Sequence, residues 1–577
     1  MKCYFVSPDD GGPPYRPDIE DQESGPGITS LPRALLARHG ARVLDPTAVP
    51  TADGWPTPRP TVYRARTLLI PPRLQREPYL PVINDVLARV GMGLAPGTAP
   101  GPRGAQDRRP EAAPVAAVLT AIDRHGQPPV LVDAWTALTT LRAAVGPDRP
   151  REPELELFDH QDASQISLEH LMLGAAIMGS PAVDGSPAVD GSPAVDGSPA
   201  TSYLSVTGDG RIPVEVYADA PYRPSAGECA VRYGRRPVIA VLDTGVRAHS
   251  WLDVTPATAP GAHYETAVPD GFVQVDPVLQ QAIWESSQAS AYAGDRDRRP
   301  IEHPWDMPVT EDPLIGVVGS ALGHGTFIAG IVRQLVPEAT VLSVRIMHSD
   351  DVVYEGDLVA ALQQLALRVR QAQDPENPRP DLMVDVVSLS LGYFCESPPD
   401  VAYTSTLKAA IDDLLDLGVI VVAAAGNYAV RRRYYPAAFA AAPRPSGTVP
   451  VIGVGALNPN ESRALFSDDG PWVTAWATGA MVVSTFPTDV NGSLMPPAEV
   501  PGNPGPPREA LDPDDFRGGF AAWSGTSFAA PALAAWVLRA LLDGAEGDRA
   551  LSLGDSAPAA AAARALSALR QRGWRER

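Results

Sequence analysis

Lysine is nearly absent: Lys2 and Lys408 are the only two among 47 basic residues, so arginine carries almost all the positive charge. Cations are also outnumbered, 47 Lys and Arg against 68 Asp and Glu, and the formal charge of −21 opposes nonspecific attraction to phosphate backbones and anionic lipid surfaces. Neither nucleic acid nor a membrane surface is expected as a partner. Cysteine is scarce as well. Cys3, Cys229 and Cys395 are odd in number and far apart, which excludes a disulfide framework or a four-ligand zinc site built from them alone. No stretch approaches 18 uninterrupted apolar residues, and the opening MKCYFVSPDD has neither an apolar h-region nor an Ala-x-Ala site. A cytoplasmic protein without a membrane anchor is the expectation. What the chain has in quantity is proline, 63 residues, and glycine, 50, so much of it is loop. With 577 residues and 44% hydrophobic content, at least one large core can form, and length alone points to several domains.

Residues 1–160, within an N-terminal region expected to span 1–178, are Pro-rich and mixed. A strand at Val62–Ile70 feeds a helix near Tyr79–Val90, and a second strand at Pro129–Asp133 feeds a helix at Ala134–Ala144, which predicts a small α/β region with long loops. Between Gly179 and Ala200 the hexapeptide Gly-Ser-Pro-Ala-Val-Asp occurs three times and begins a fourth. That period is too short and too polar for a solenoid, so 179–235 is expected to be a repeat-containing linker. From about Arg236 continuous apolar runs alternate with helical patterns. The strands expected are Val238–Leu242, Val341–Ile346, Val384–Leu389, Val419–Ala424 and Val451–Val454, with helical faces at Leu358–Val369 and Leu407–Leu415 between them. This alternation predicts an α/β parallel sheet with helices on both faces over 236–545. Residues 546–577 end in an Ala-rich helix entered through Ser556 and Pro558.

Reactive groups of such a sheet belong at the carboxyl ends of its strands. Asp243 follows Val238–Leu242 directly and precedes Thr244-Gly245. An Asp-Thr-Gly also serves aspartic proteases, but that chemistry needs two carboxylates, and no second Asp-Thr/Ser-Gly exists here. His324 sits among small residues, Gly323-His-Gly-Thr-Phe-Ile-Ala-Gly330, which clear space around an imidazole at a helix start. The other eight histidines have no such setting and are expected at the surface, His249, His263, His303 and His348 among them. Ser527 lies in Trp523-Ser-Gly-Thr-Ser527-Phe-Ala-Ala-Pro531, a small-residue turn opening an apolar helix whose free N–H groups favour negative charge. Asn427 ends the buried run Val421–Gly426 with an amide suited to an oxyanion. Each signal alone has a bland reading as a cap or a turn.

Taken in the order Asp243, His324, Asn427, Ser527, the pieces resemble the subtilisin-like serine peptidases, and Ser390-Leu391-Gly392 and Tyr435-Pro436-Ala437 fall in that family's order too. The resemblance implies an endopeptidase in which His324 takes the proton of Ser527, Asp243 holds the imidazole, and Asn427 holds the oxyanion. It further implies that Ser390, Leu391 and Gly392 pair with an extended peptide or protein substrate, while Ala424 and Gly426 wall its primary pocket. No cofactor is called for; calcium is possible by resemblance, but no ligand loop can be matched and the metal residues stay unknown. The chain departs from the family at Phe327, at Ala477-Thr478-Gly479 and at Tyr393, whose side chain is expected to narrow a subsite. A protease fold kept as a catalytically silent binding module is the alternative. Residues 1–178 are expected to inhibit, or to recruit a partner.

Overall fold

The computed structural model describes residues 2–6, 31–49, 51, 55–95, 115–123, 128–146, 157–175, 210–258, 263–266, 269–308, 310–312, 317–397, 405–545, 551 and 557–575. The hexapeptide repeats and Ser556 lie outside them. The apolar run Val238–Asp243 sits inside an eight-stranded sheet, parallel to Thr340–Arg345 on one side and Val386–Leu389 on the other. Val273–Val275 extends the sheet beyond the first, and Ile420–Ala424, Val451–Leu457 and Ala475–Thr478 extend it beyond the second, all in parallel register. Cys3–Phe5 closes the far edge, antiparallel to Ala475–Thr478. Every residue of Thr340–Arg345, Val386–Leu389 and Ile420–Ala424 is buried. Since successive side chains point to opposite faces, both faces must be covered. The helices His324–Leu335 and Thr526–Ala545 pack against one another, and Glu355–Ala372 packs between Pro277–Tyr292 and Ser405–Asp416.

The N-terminal region forms its own antiparallel layer. Thr61–Ile70 pairs with Val115–Ala121 and with Ser167–Gly174, and the helices Tyr79–Ala88 and Ala134–Ala144 cover a separate core around Leu68, Ile83, Leu119 and Leu138. The expected strand Pro129–Asp133 does not form. Pro128 and Pro129 bring no N–H to a ladder, and Asp133 instead caps the following helix, its carboxylate accepting from the Thr136 N–H at 3.0 Å. The second half of the expected linker is structured: Ala226–Tyr233 is a helix with a capping box between Ser225 and Glu228, and its Cys229 and Tyr233 enter the large core. The last helix, Pro558–Gln571, has Ala557 rather than Ser556 at its cap, without a side-chain hydrogen bond there.

The two layers meet through buried charge. Arg298 donates to both oxygens of Glu169 at 2.8 and 2.9 Å and also to Asp357, and Arg64 donates to Asp295. All five side chains are 1% exposed or less. The three carboxylates outnumber the two guanidiniums, and burial pushes the Glu169 carboxyl up despite Arg298 and Arg64.

Candidate active site

Asp243 ends its strand at the carboxyl edge of the sheet, 1% exposed, and the Thr244 N–H folds back onto its Oδ1 at 2.8 Å. His324 opens its helix after Gly323, whose φ of 85° turns the chain into it. The imidazole Nδ1 lies 2.8 Å from Asp243 Oδ1 and 2.9 Å from Oδ2. Gly325 makes this approach possible, since a Cβ there would stand 2.1 Å from the Gly245 carbonyl oxygen. Asp306 supports the same helix start: its Oδ2 accepts the Gly323 N–H at 2.7 Å, and burial lifts its carboxyl up to about 6.

Ser527 is the second residue of Thr526–Ala545. Pro531 in that helix has no N–H for the Ser527 carbonyl four residues before it, and the Ser390 hydroxyl donates there instead at 2.8 Å. The Ser527 hydroxyl donates to the Ser390 carbonyl at 3.1 Å. His324 Nε2 is buried and has no hydrogen-bond partner among the described residues, so the link from serine to imidazole is not made. Asn427 is fixed through its Oδ1, which accepts from both the N–H and the hydroxyl of Thr526 at 3.0 Å. Gly426 before it has a φ of 104°, and a Cβ there would lie 2.3 Å from the buried Asp468. Asp468 Oδ1 accepts the Tyr428 and Val430 N–H groups, while burial pushes its carboxyl well up.

The strand expected to pair with substrate is already paired by the chain itself. Ser167–Gly174 runs antiparallel to Leu391–Phe394, with Gly174 opposite Leu391 and Leu173 opposite Gly392, and on its other side antiparallel to Val352–Tyr354. The Ala175 N–H reaches the Ser390 carbonyl at 2.9 Å. Its own carbonyl oxygen receives two donors, the Asn427 amide Nδ2 at 2.6 Å and the Ser527 N–H at 2.8 Å. Five residues upstream, His170 is fully buried between Glu355 Oε2 at 2.6 Å from Nδ1 and Glu396 Oε2 at 2.8 Å from Nε2. The ring stacks on Tyr393 at 4.3 Å between centroids.

Ser390, Leu391, Gly392, Asn427 and Ser527 thus come together along the segment that ends at Ala175, while Asp243 and His324 pair with one another. Ala424 ends the strand leading to Gly426 and Asn427. Phe327 is a core residue against Trp523 and Phe528. The surface expectation fails for four of the remaining histidines and holds for His160 and His263, which are exposed: His39, His170, His249 and His348 are buried, His249 Nε2 donating to the Gly519 carbonyl and His39 bridging Tyr354 and Asp350. Asp306, Ala175, Glu355 and Glu396 were not legible beforehand; only the apolar run Leu171–Leu173 ahead of Gly174 hints at a strand. Among the described residues no three His, Cys, Asp or Glu side chains are grouped to hold a metal, and no helix is long and apolar enough to cross a membrane.

The sequence model of the Subtilase family (Peptidase S8) matches residues 234–545, more than half of the chain. Subtilisin DY of Bacillus licheniformis is 28% identical over 197 residues, 31% of this chain and 61% of that protein. Subtilisin BL of Lederbergia lenta is 30% identical over 193 residues, again 31% of this chain and 61% of that protein. The matched stretch therefore falls short of two thirds of either relative. A cold-adapted subtilisin-like serine proteinase of known structure shares 17% identity over 55% of this chain and 80% of its own, with a TM-score of 0.31. A family match over residues 234–545, more than half of the chain, places the chain in the subtilase family.

Proposed function

We propose that the protein is a serine endopeptidase that uses Asp243, His324 and Ser527 with an oxyanion site at Asn427, and that it carries its own inhibitor in the segment ending at Ala175. One observation carries the reading: the Ala175 carbonyl oxygen rests on two N–H donors, Asn427 Nδ2 and Ser527 N, where negative charge would develop during attack. In a productive complex the Ser527 hydroxyl leaves the Ser390 carbonyl for His324 Nε2. The imidazole takes its proton as Oγ bonds to the substrate carbonyl carbon, Asp243 stabilising the imidazolium through Nδ1. The C–N bond then breaks, the nitrogen receives the proton from His324, and water later resolves the acyl-enzyme by the same route. Substrate lies as an added strand between Leu391–Phe394 and Val352–Tyr354, as Ser167–Gly174 does. Peptides and proteins are the substrates. The cytoplasm is the compartment we favour, in keeping with three cysteines free of disulfides.

The silent-module alternative draws on the Ser527 hydroxyl being turned to Ser390 rather than to His324. Free-enzyme and product-like geometries are often looser than reacting ones, so this alone does not favour it. Full-length protein and its Ser527→Ala variant decide between them. Fluorophosphonate labelling of wild type alone, with intact mass and N-terminal sequencing finding a wild-type product that begins at Ala176, supports the peptidase; equal masses and no labelling would refute it.

A further inference from the structure

We infer that Glu355 and Glu396 build an acidic subsite that selects substrates with a cationic side chain at the sixth residue before the cleaved bond, a specificity that rests on the peptidase reading above. The register supplies the count. With the Ala175 carbonyl on Asn427 and Ser527, the first residue before the bond is Ala175, the second Gly174, and the sixth His170. Glu355 opens the helix that follows Val352–Tyr354, and Glu396 follows Leu391–Phe394, so each of the two strands flanking the substrate ends by aiming a carboxylate at one place.

The occupant shows what the place accepts. His170 gives one ring nitrogen to each carboxylate, its backbone N–H also reaches Glu355 Oε2 at 3.3 Å, and Tyr393 forms a floor under the ring, its hydroxyl donating to Glu355 Oε1 at 3.3 Å. A ring that satisfies two acceptors must carry both N–H groups, which means the imidazolium. Burial pulls its pKa down, but Glu355 and Glu396 outweigh burial and lift it to about 9. Glu355 is 4% exposed and Glu396 is fully buried. Two carboxylates held this close in a dry pocket repel one another, so a neutral side chain in place of His170 leaves a cost that a cation removes. The Tyr393 face adds attraction for a guanidinium or ammonium. The Tyr393 side chain, expected from the sequence to narrow a subsite, would on this reading help to select the charge.

The test uses the full-length protein after its own processing and quenched peptides of the form Xaa-Leu-Met-Leu-Gly-Ala-Ala-Ile, with Arg, Lys, Gln or Glu at Xaa, and a shortened peptide starting at the first Leu. At pH 7 we expect Arg and Lys peptides to exceed Gln in kcat/KM by roughly 10–100-fold, mainly through KM, with Glu poorest. In the Glu355→Gln/Glu396→Gln variant the Arg-to-Gln ratio should fall to about one. Wild type cutting the shortened peptide yet treating Arg, Lys and Gln alike would overturn the subsite while leaving the peptidase reading standing. Cleavage of no peptide, the shortened one included, would overturn both. Because the wild-type series decides by itself, a variant that fails to fold does not shelter the inference.

Discussion

Raising the pH should open the cleft, and His170 sets where. Its pKa is lifted from the ordinary 6.5 to about 9 in the docked state, while in an undocked strand exposed to water it returns to the ordinary value. A group raised on docking adds stability that is complete below the free value and is lost as pH climbs through the docked value. The window is therefore pH 6.5 to 9. At 1.36 kcal/mol per pH unit the shift is worth about 3 kcal/mol at the acid end, roughly 10²-fold in cleft occupancy. Most of that remains at pH 7, about tenfold is left at pH 8, and little at pH 9. Neighbouring groups do not blur the window: burial holds the Tyr393 hydroxyl and the Cys395 thiol well above their usual ranges, so neither ionises within it. The assay is the lag before processed full-length protein begins to cut a short peptide lacking the sixth residue, taken from pH 6.5 to 9. His170→Gln has no proton to lose and should show a short lag at every pH. If wild type and His170→Gln share one pH curve, the argument from the Glu355–His170–Glu396 arrangement is wrong.

Three substitutions probe the rest of the site. Asn427→Ala removes a donor expected to matter most in the transition state, and steady-state kinetics should find kcat lower by roughly 10²–10³-fold with KM little moved. Gly325→Ala puts a methyl 2.1 Å from the Gly245 carbonyl, a backbone atom that cannot swing away, so His324 is displaced from Asp243 and peptide hydrolysis should fall at least tenfold; an active variant with an unchanged melting temperature would contradict that contact. At Gly392 a Cβ would meet the Tyr435 carbonyl oxygen at 2.4 Å and the Tyr434 ring at 2.3 Å, so Gly392→Ala should disturb the strand that pairs with substrate and raise KM more than it lowers kcat.

The candidate site residues were readable because each lies at or just beyond the end of a strongly patterned element. Asp243 ends a buried apolar strand, Asn427 follows another by three residues, and His324 and Ser527 stand at the starts of helices beside small residues. The parallel sheet was readable for the same reason, since runs such as Val238–Leu242 are apolar at every position. What escaped notice depends on partners distant in sequence. Ser167–Gly174 is a short strand that owes its place to pairing with segments 180 and 220 residues away, roughly, and no local propensity encodes that. Glu355 and Glu396 look like solvated helix-start and loop acids until His170 arrives between them. His249 and His348 looked superficial because burial of a lone imidazole is decided by packing, here against Phe520 and Tyr354.

The little strand Cys3–Phe5 gives the N-terminal segment a second hold. It adds to the outer edge of the sheet at Ala475–Thr478, the Val6 N–H continues onto the Thr474 carbonyl at 2.9 Å, and Phe5 lies 6.0 Å from Trp536. A cut after Ala175 would leave the severed piece anchored there, far along the sheet from the cleft. Return of the free end would then be an intramolecular event governed by an effective concentration, in the millimolar range for a short flexible tether and lower for a long one, and independent of dilution. Scission alone would produce a latched enzyme. Lasting release would require unzipping that edge or a second cut within the severed piece, so activation would proceed as two separable steps with different concentration dependence.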